Sequence, residues 1–241
     1  NNSGRIISNT YEGIPQRTII KVRRRVNEAG QYTFRTEDLQ YWKEFYWTEE
    51  MLRSAGTWAI SHFIINNRKT NLQDKLVFIG NERVFNYDYY KHNGVFRRKI
   101  YFVDRKENKW ISNVDNTTVQ LVDVAPKSGD VLFITSSKKD AGIFWRLQID
   151  NAFPELIIHG VAPNNEGSFV PKEWFEKAKQ RWKRIILWYN NDNPGIENAK
   201  KYSEKYEIEY YHNPLESPKD PSDYSKINGI NEFKKLIDNI L

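Results

Sequence analysis

The sequence predicts an α/β protein in two parts: a basic α+β subdomain at residues 1–127, then a domain built on a mainly parallel sheet at residues 128–241. Two observations predict this division. In the second part, buried-type strands alternate with predicted helices of about 10–13 residues, which is typical of βαβ units. In the first part, short strands follow one another and carry the excess positive charge. Residues 1–130 hold 21 Lys and Arg against 15 Asp and Glu, whereas residues 131–241 hold 16 of each.

The first part begins with a strand-like pattern. Apolar and polar residues alternate within residues 5–35, which predicts strands joined by a turn near residues 27–30. Thr36, with two acidic residues directly after it, predicts the start of a helix, and a second short helix is expected over residues 48–56. Short strands broken by polar turns are then expected over residues 58–124.

The pattern changes after a predicted linker at residues 126–129. Compact apolar runs predict strands at residues 131–135, 156–161, 184–189 and 208–211, and intervening segments predict helices at residues 139–148, 171–182, 194–206 and 230–240. Right-handed crossovers between such strands produce a parallel sheet. We therefore expect one mainly parallel sheet covered by helices.

The composition excludes several kinds of site. With 39% hydrophobic residues the chain can bury a core, and it has no run of about 18 apolar residues and no visible signal peptide. We therefore expect a cytoplasmic protein. The absence of cysteine excludes disulfides and thiolate zinc sites, and the four scattered histidines do not form a zinc-binding pair, so no zinc is expected.

The excess positive charge predicts that the first part faces a polyanion. The most concentrated cations, and therefore the predicted nucleic-acid contacts, are Arg23, Arg24, Arg25, Arg97, Arg98 and Lys99. Alternate residues of a strand point to opposite faces, so the last three need not all contact nucleic acid. A basic surface that is merely solvated remains the alternative. The high aromatic content, 15%, fits either base stacking or core packing.

Three polar loops follow predicted strands, at residues 135–140, 189–195 and 218–224. Ligands of such sheets gather at the carboxyl ends of the strands, so we expect these loops to lie along one edge. Clustered oxygen ligands suit a hard divalent cation, and Asp192, at a strand end just before a helix, suits that role. The segment Asn191-Asp192-Asn193-Pro194-Gly195 could equally form a turn and a helix start.

The order of these elements and loops resembles the Toprim domain of DNA primases, and the phage branch most closely. The matching segments are Thr135 to Asp140 after the first strand, Ala162 to Glu166 after the second, and Tyr189 to Gly195 after the third. The resemblance covers about residues 128–241 and implies a Rossmann-like parallel sheet. It is weaker before residue 128.

The acidic site of this domain is degenerate compared with the family pattern. Ser136 stands where the usual Glu is found, and Asn190 replaces the first acid of an Asp-x-Asp pair, so that Asp192 remains of the usual three. Fewer carboxylates bind a cation more weakly. Asp140, Asp220, Asp223 and Glu166 are the acids on neighbouring loops that could contribute.

The resemblance implies template-directed synthesis of short RNA primers on single-stranded DNA with Mg²⁺ or Mn²⁺, bound weakly. The catalytic residues that it implies are Asp192, Asp140 and Lys139, and the metal ligands are Asp192, Asn190, Ser136 and Asp220. Lys138, Lys139 and Lys219 are the candidates for binding nucleotide phosphates.

The expected partners are a single-stranded DNA template, ribonucleotides, and a replicative helicase or another replisome protein, in the host cytoplasm if the gene is carried by a phage. These 241 residues contain neither a zinc-binding module nor a Walker-type loop, so template recognition and a helicase motor would come from elsewhere. Two other functions remain open: a Toprim relative that has lost catalysis and serves as a nucleic-acid-binding interaction module, and a Toprim nuclease.

Overall fold

The computed structural model describes residues 17–67, 72–92 and 95–241. Packing divides the chain into two compact units. The first unit comprises the described residues up to Gln40 together with Glu49–Asp115, and the second comprises Tyr41–Thr48 and Asn116–Leu241. The part of the predicted strand region that precedes residue 17 lies outside the described residues.

The first unit contains a six-stranded antiparallel sheet with the order β1-β2-β4-β5-β6, in which β3 also pairs with β2. The strands are β1 (Arg17–Arg24), β2 (Thr57–Asn67), β3 (Leu72–Phe78), β4 (Val84–His92), β5 (Val95–Phe102) and β6 (Trp110–Ser112). One face buries an apolar cluster that includes Ile60, Phe63 and Phe102. Alternation of such residues with polar ones along the strands is what predicted this sheet.

Two short helices lie between β1 and β2, α1 (Thr36–Lys43) and α2 (Glu49–Ser54). Asp38, in the first turn of α1, accepts a hydrogen bond from the backbone N–H of Arg35 at 2.9 Å, which satisfies a backbone donor next to the helix start. Gly56 ends the second helical segment with a φ of 62°, and a Cβ there would lie 2.9 Å from the backbone oxygen of Asp88. Both predicted helices are thus confirmed.

The second unit contains a five-stranded sheet with the order β11-β10-β8-β9-β7. The strands are β7 (Val119–Gln120), β8 (Gly129–Thr135), β9 (Ile158–Pro163), β10 (Trp182–Tyr189) and β11 (Tyr210–His212), and a 3-10 turn spans Val122–Val124. The last four strands are parallel to one another, whereas β7 pairs antiparallel with β9. The predicted parallel sheet is confirmed. A strand was also expected at the position of β7, but as part of the first subdomain, and its antiparallel pairing with this sheet was not predicted.

Helices cover both faces of this sheet. They are α3 (Lys138–Ile149), α4 (Lys172–Lys179), α5 (Asn193–Tyr206), α6 (Pro221–Asn228) and α7 (Ile230–Asp238). Leu132 and Ile134 of β8 pack with residues of α4 and α5, whereas Val131 and Phe133 pack with residues of α3 and α7. A strand buried on both faces needs a continuous apolar run, which is the pattern that identified β8.

Tyr41–Thr48 belong to the second unit because their aromatic side chains pack on α3. Trp47 meets Trp145 edge to face, with ring centroids 5.9 Å apart. A Cβ atom added to Gly142 would lie only 2.2 Å from the indole ring of Trp47. Glycine at position 142 is what permits this close approach. Within the described part of the chain, no helix has the length and apolar character needed to cross a membrane.

Candidate functional site at the carboxyl edge of the parallel sheet

Polar side chains from four segments meet at the carboxyl edge of the second unit's sheet. Ser136 follows β8, Glu166 follows β9 and Asn190 follows β10, while Asp220 directly precedes α6. Parallel strands bring their carboxyl ends to the same edge, which is where such sheets bind ligands. The sequence prediction that these loops converge is therefore supported by their hydrogen bonds.

A chain of hydrogen bonds connects the first three of these segments. The hydroxyl of Ser136 lies 2.8 Å from Oδ1 of Asn190, and Nδ2 of Asn190 donates to Oε1 of Glu166 at 2.9 Å. Ser136 and Asn190 are buried, with 6% and 4% of their surfaces exposed, and Glu166 is half-buried. Ser136 and Asn190 are thus held by each other and by a nearby carboxylate.

Asp140, in the first turn of α3, extends this network toward α6. Its Oδ2 lies 2.5 Å from the hydroxyl of Ser137 and 3.0 Å from that of Ser136, and its Oδ1 accepts from the backbone N–H of Ser222 at 3.3 Å. Burial raises the pKa of Asp140 to about 7, and the neighbouring charge of Asp220 adds to the rise.

A proton on Asp140 also resolves a conflict at Ser136. The Ser136 hydroxyl has one hydrogen, yet it lies within hydrogen-bond distance of two acceptors, Asn190 Oδ1 and Asp140 Oδ2. If Asp140 is protonated, it donates to Ser136, which in turn donates to Asn190. The raised pKa of Asp140 permits this arrangement.

Asp192 and Asp220 cap α5 and α6, two of the helices that start at this edge. Asp192 accepts from the backbone N–H of Gly195 at 2.9 Å, and Asp220 accepts from that of Asp223 at 2.7 Å. In both helices a proline follows in the first turn. Locally, Asp192 therefore acts as a helix cap, in line with the expectation that its segment forms a turn and a helix start. Capping engages Oδ1 of Asp192, while its Oδ2 faces the Lys219 ammonium at 3.6 Å.

The three lysines predicted to bind phosphate differ in exposure. Lys138 is buried, with 4% of its surface exposed. Lys139 lies 3.7 Å from Asp223 and over the ring of Phe45 at 3.9 Å. The side chain of Lys219 is half-exposed beside Asp192. Lys219 and Lys139 therefore present ammonium groups near the surface, each held by an exchangeable ion pair.

The donor set at this edge fits a hard divalent cation by its chemistry. It consists of oxygen donors, the carboxylates of Asp192, Asp220 and Glu166 and the amide oxygen of Asn190, with no sulfur and no imidazole among them. Within residues 17–67, 72–92 and 95–241, no three Asp, Glu or His side chains stand close enough together to hold an ion as they are. Binding would therefore require these side chains to move together.

The predicted nucleic-acid contacts in the first unit have two kinds of surroundings. Arg97 and Arg98 are buried, with 2% and 6% of their surfaces exposed. Arg97 donates to the backbone oxygen of Asn113 at 3.1 Å, and Arg98 lies 3.3 Å from a carboxylate oxygen of Asp88. In this conformation neither guanidinium reaches the solvent, so the structure does not present them to a phosphate. Lys99 is also largely enclosed, and burial lowers its pKa to about 8.

The arginines at the end of β1 are more accessible. Arg23 is exposed, and Arg25 is half-buried with its pKa lowered by burial and by the charge of Arg35. Arg24 stacks over Trp58 at 3.9 Å and forms an ion pair with Asp88 at 3.1 Å. These three positions stay a prediction for phosphate contact.

An aromatic and cationic cluster surrounds Arg24, and the sequence analysis did not identify it. It comprises Arg24, Tyr32, Arg53 and Trp58. Tyr32 is half-exposed and meets Trp58 edge to face at 5.7 Å, and Arg53 donates to the backbone oxygen of Tyr32 at 2.9 Å. Its members are far apart in the sequence, so no local pattern could have predicted their contact.

The fold of the chain is similar to that of DNA primase catalytic cores. The chain is similar to the DnaG catalytic core, with a TM-score of 0.58 and 11% identity over 85% of this chain and 72% of that one. It is similar to the primase fragment of the bacteriophage T7 primase-helicase protein, with a TM-score of 0.55 and 13% identity over 97% and 85%. It also resembles the DnaG primase catalytic domain bound to single-stranded DNA, with a TM-score of 0.53 and 13% identity over 82% and 63%.

These likenesses show the fold, since the identities are low. No protein-family model matches the sequence, and no curated protein sequence is significantly similar to it.

Proposed function

We propose that the protein is a DNA primase, in which a Toprim-type second unit joins ribonucleotides into short RNA primers on single-stranded DNA. The observation that carries this proposal is the convergence of Ser136, Glu166, Asn190 and Asp220 at the carboxyl edge of a parallel sheet, in a chain with the fold of primase catalytic cores. Asp192 stands at the same edge.

Asp192, Asp220, Asn190 and Ser136 are the residues that would hold Mg²⁺ or Mn²⁺. When bound, such an ion neutralises phosphate charge and makes a ribose hydroxyl easier to deprotonate. The carboxylates of Asp192 and Asp220 each have one oxygen engaged in capping a helix, which fixes where they stand. Asp140, buried and close to a pKa of 7, is the acid that holds Ser136 and the start of α6 in place.

Lys219 and Lys139 would bind the phosphates of the incoming nucleotide. Each is paired with a carboxylate at more than 3.5 Å, Lys219 with Asp192 and Lys139 with Asp223. Such partly exposed pairs are weak, so a triphosphate can take the place of the carboxylate partner. With Asp192 engaged as a metal ligand, the Lys219 ammonium beside it would be free to pair with the phosphates.

The template would bind to the first unit through phosphate contacts and base stacking. The exposed ring of Tyr32 lies next to Arg24 and Arg53. Single-stranded nucleic acid binds to such surfaces, because bases stack on the aromatic ring and phosphates pair with the cations. We propose a replicative helicase or another replisome protein as a further partner.

A second candidate function is supported by the replacement of family acids. Ser136 and Asn190 bring no charge and satisfy each other's hydrogen bonds, which suits a protein that binds nucleic acid without catalysis. Loss of charge lowers the stabilisation of a transition state.

One assay separates these functions. The full chain is incubated with circular single-stranded DNA, four ribonucleotides with one labelled, and Mg²⁺ or Mn²⁺. Short labelled RNA that disappears in Asp192→Ser supports priming, DNA binding without product supports the interaction module, and loss of the template indicates a nuclease. Glu197→Gln, an exposed change on α5, is the matched control and should behave as wild type.

A further inference from the structure

Residues 213–220 form an irregular segment between β11 and α6, and this segment carries Lys219 and Asp220. Because it is neither strand nor helix, its backbone carbonyls need hydrogen-bond donors from elsewhere. Four of these carbonyls accept hydrogen bonds from two buried asparagines, Asn191 and Asn213. The course of the segment therefore depends on these two residues.

Asn191 makes three of these contacts. Its backbone N–H donates to the carbonyl of Lys219 at 2.9 Å, and its side-chain Nδ2 donates to the carbonyls of Pro214 at 2.7 Å and Ser217 at 3.1 Å. The amide nitrogen of an asparagine side chain carries two hydrogens, so it can make both bonds at once. Asn191 thus holds the irregular segment near its beginning and near its end.

Asn213 makes the fourth contact and connects the segment to the core of the sheet. Its Nδ2 donates to the carbonyl of Pro218 at 2.8 Å, and its Oδ1 accepts from Nε1 of Trp188 at 3.0 Å. Trp188 belongs to β10 and is buried. Both asparagines therefore fix the segment relative to β10 and the turn that follows it.

The bond from Asn191 to the carbonyl of Lys219 controls where this lysine stands. It fixes the main chain of Lys219 beside the end of β10, and the ammonium then lies 3.6 Å from Oδ2 of Asp192. The lysine side chain is half-exposed and flexible, so it can exchange Asp192 for another anion while the main chain stays in place. A phosphate bound by Lys219 would thus be held at a place that Asn191 determines.

We propose that Asn191 is a positioning residue for the polyphosphate of the incoming nucleoside triphosphate, and that it acts through Lys219. This inference rests on the proposed function, in which Lys219 binds those phosphates. An asparagine suits the role because its amide donates two hydrogen bonds and adds no charge. An aspartate at position 191 would have a similar shape, but its ionised form has no donor, and its charge would compete with phosphate for the lysine.

Binding of inorganic triphosphate to the full chain, measured by calorimetry at low salt in a chelator, tests the proposal without catalysis. Lys219→Gln is expected to weaken binding about tenfold, which corresponds to the loss of one charged contact. Asn191→Ala should weaken it by about three- to tenfold, because the lysine is then no longer held in one place. Asn191→Leu, which fills a similar volume and also lacks donors, should have the same effect. The control is Asn231→Ala, an exposed change on α7 that should leave the affinity unchanged.

A double-mutant cycle shows whether Asn191 acts through Lys219. If it does, Asn191→Ala/Lys219→Gln binds inorganic triphosphate within about twofold of Lys219→Gln alone, since the first change has no lysine left to misplace. An effect of Asn191 that is independent of the lysine would instead appear in full in both backgrounds. In primer synthesis, Asn191→Ala should raise the KM for ribonucleotides about as much as it weakens triphosphate binding, and kcat should stay within about twofold of wild type.

The outcomes distinguish this inference from the proposed function. If both Asn191 variants bind triphosphate like Asn231→Ala, or if the effects of the two sites add, the positioning role is wrong, while primer synthesis by the wild type still supports the proposed function. If Lys219→Gln binds like the wild type, or if the wild type binds no triphosphate, the inference is overturned as well. If the cycle is non-additive but the wild type makes no primers, the positioning role stands and the proposed function is overturned.

Folding of each variant is checked by far-UV circular dichroism and urea denaturation. If Asn191→Ala does not fold, Asn191→Leu decides the question, because it leaves no cavity. Loss of the fold in both variants would show that Asn191 maintains the structure as a whole, and that result would overturn the positioning role.

Discussion

Ser136 and Asn190 are in direct contact across the carboxyl edge of the parallel sheet, with 2.8 Å between the serine hydroxyl and the amide oxygen. Both stand where the resemblance to primases would place a carboxylate. A serine hydroxyl and an amide form a contact here that needs no cation, whereas two carboxylates at this distance would repel each other. Its remaining carboxylates are on helix caps and on the loop after β9, and the expected consequences differ from residue to residue.

Asp192 has a structural role and a proposed chemical role that substitution can separate. Asp192→Ala removes the cap of α5 and should lower the free energy of unfolding by about 1 kcal/mol, whereas Asp192→Ser keeps a capping oxygen and should cost much less. Both variants should lose primer synthesis, because neither has a carboxylate. Chemical denaturation and the labelled-primer assay check this, and normal priming by the serine variant would contradict it.

Asp140 should make the metal-free protein less stable as the pH rises. Its folded pKa of about 7 lies above the value of 3.8 for a free aspartate, so between about pH 4 and pH 7 the folded state holds a proton that the unfolded state has released. Stability therefore falls with increasing pH across that window, by roughly 2–4 kcal/mol from this group.

Asp140→Asn is the matched test, since an amide mimics the protonated acid. The variant should lose this part of the pH dependence and gain stability relative to wild type at pH 8. The measurement is urea denaturation in a chelator from pH 4 to pH 8, with Glu204→Gln as control. A parallel fall in both Asp140→Asn and wild type would show that Asp140 is ionised in the folded state.

Tyr32 should contribute to template binding through stacking. Tyr32→Ala is expected to weaken binding of single-stranded DNA by about 1–3 kcal/mol, while Tyr32→Phe retains most of the affinity because the ring remains. Fluorescence anisotropy with a labelled oligonucleotide measures both. Equal affinity of the alanine variant and the wild type would remove Tyr32 from the template surface.

Arg24 should contribute to DNA binding through its charge, so its effect should depend on the salt concentration. Arg24→Gln is expected to reduce the slope of log affinity against log salt concentration by about 0.7, the value for one phosphate contact on a single strand. Tyr32→Ala should leave that slope unchanged. The same anisotropy titrations, repeated over several salt concentrations, test the assignment, and an unchanged slope for Arg24→Gln would contradict it.

Arg98 should affect folding and not DNA affinity. Its guanidinium is buried beside Asp88, so Arg98→Met leaves a partly buried carboxylate with Arg24 as its other cation. We expect a loss of about 2 kcal/mol in the free energy of unfolding, less than for a fully buried pair because a fifth of the Asp88 side chain is exposed. Unchanged stability together with a reduced salt slope would instead place Arg98 on the DNA surface.

Some features of the site were predictable because the signals are local. The apolar run of β8 and the Asp-Asn-Pro-Gly start of α5 depend on neighbouring residues, and both elements lie where they were predicted. The start of α6 at Asp220 and Pro221 has the same cap chemistry, although residues 218–224 were expected to form a loop and no helix was predicted there.

The sequence by itself determined the alternation of strands and helices, the edge to which the polar loops go, and the excess of positive charge before residue 131, because periodicity, capping and charge are properties of short segments. The tertiary structure decided which of those charges are accessible. Pairing of β4 with β5 encloses Arg98 beside Asp88, and the approach of the β9 loop brings Glu166 to Asn190. Such contacts join residues that are distant along the chain, so only the packed sheets determine them.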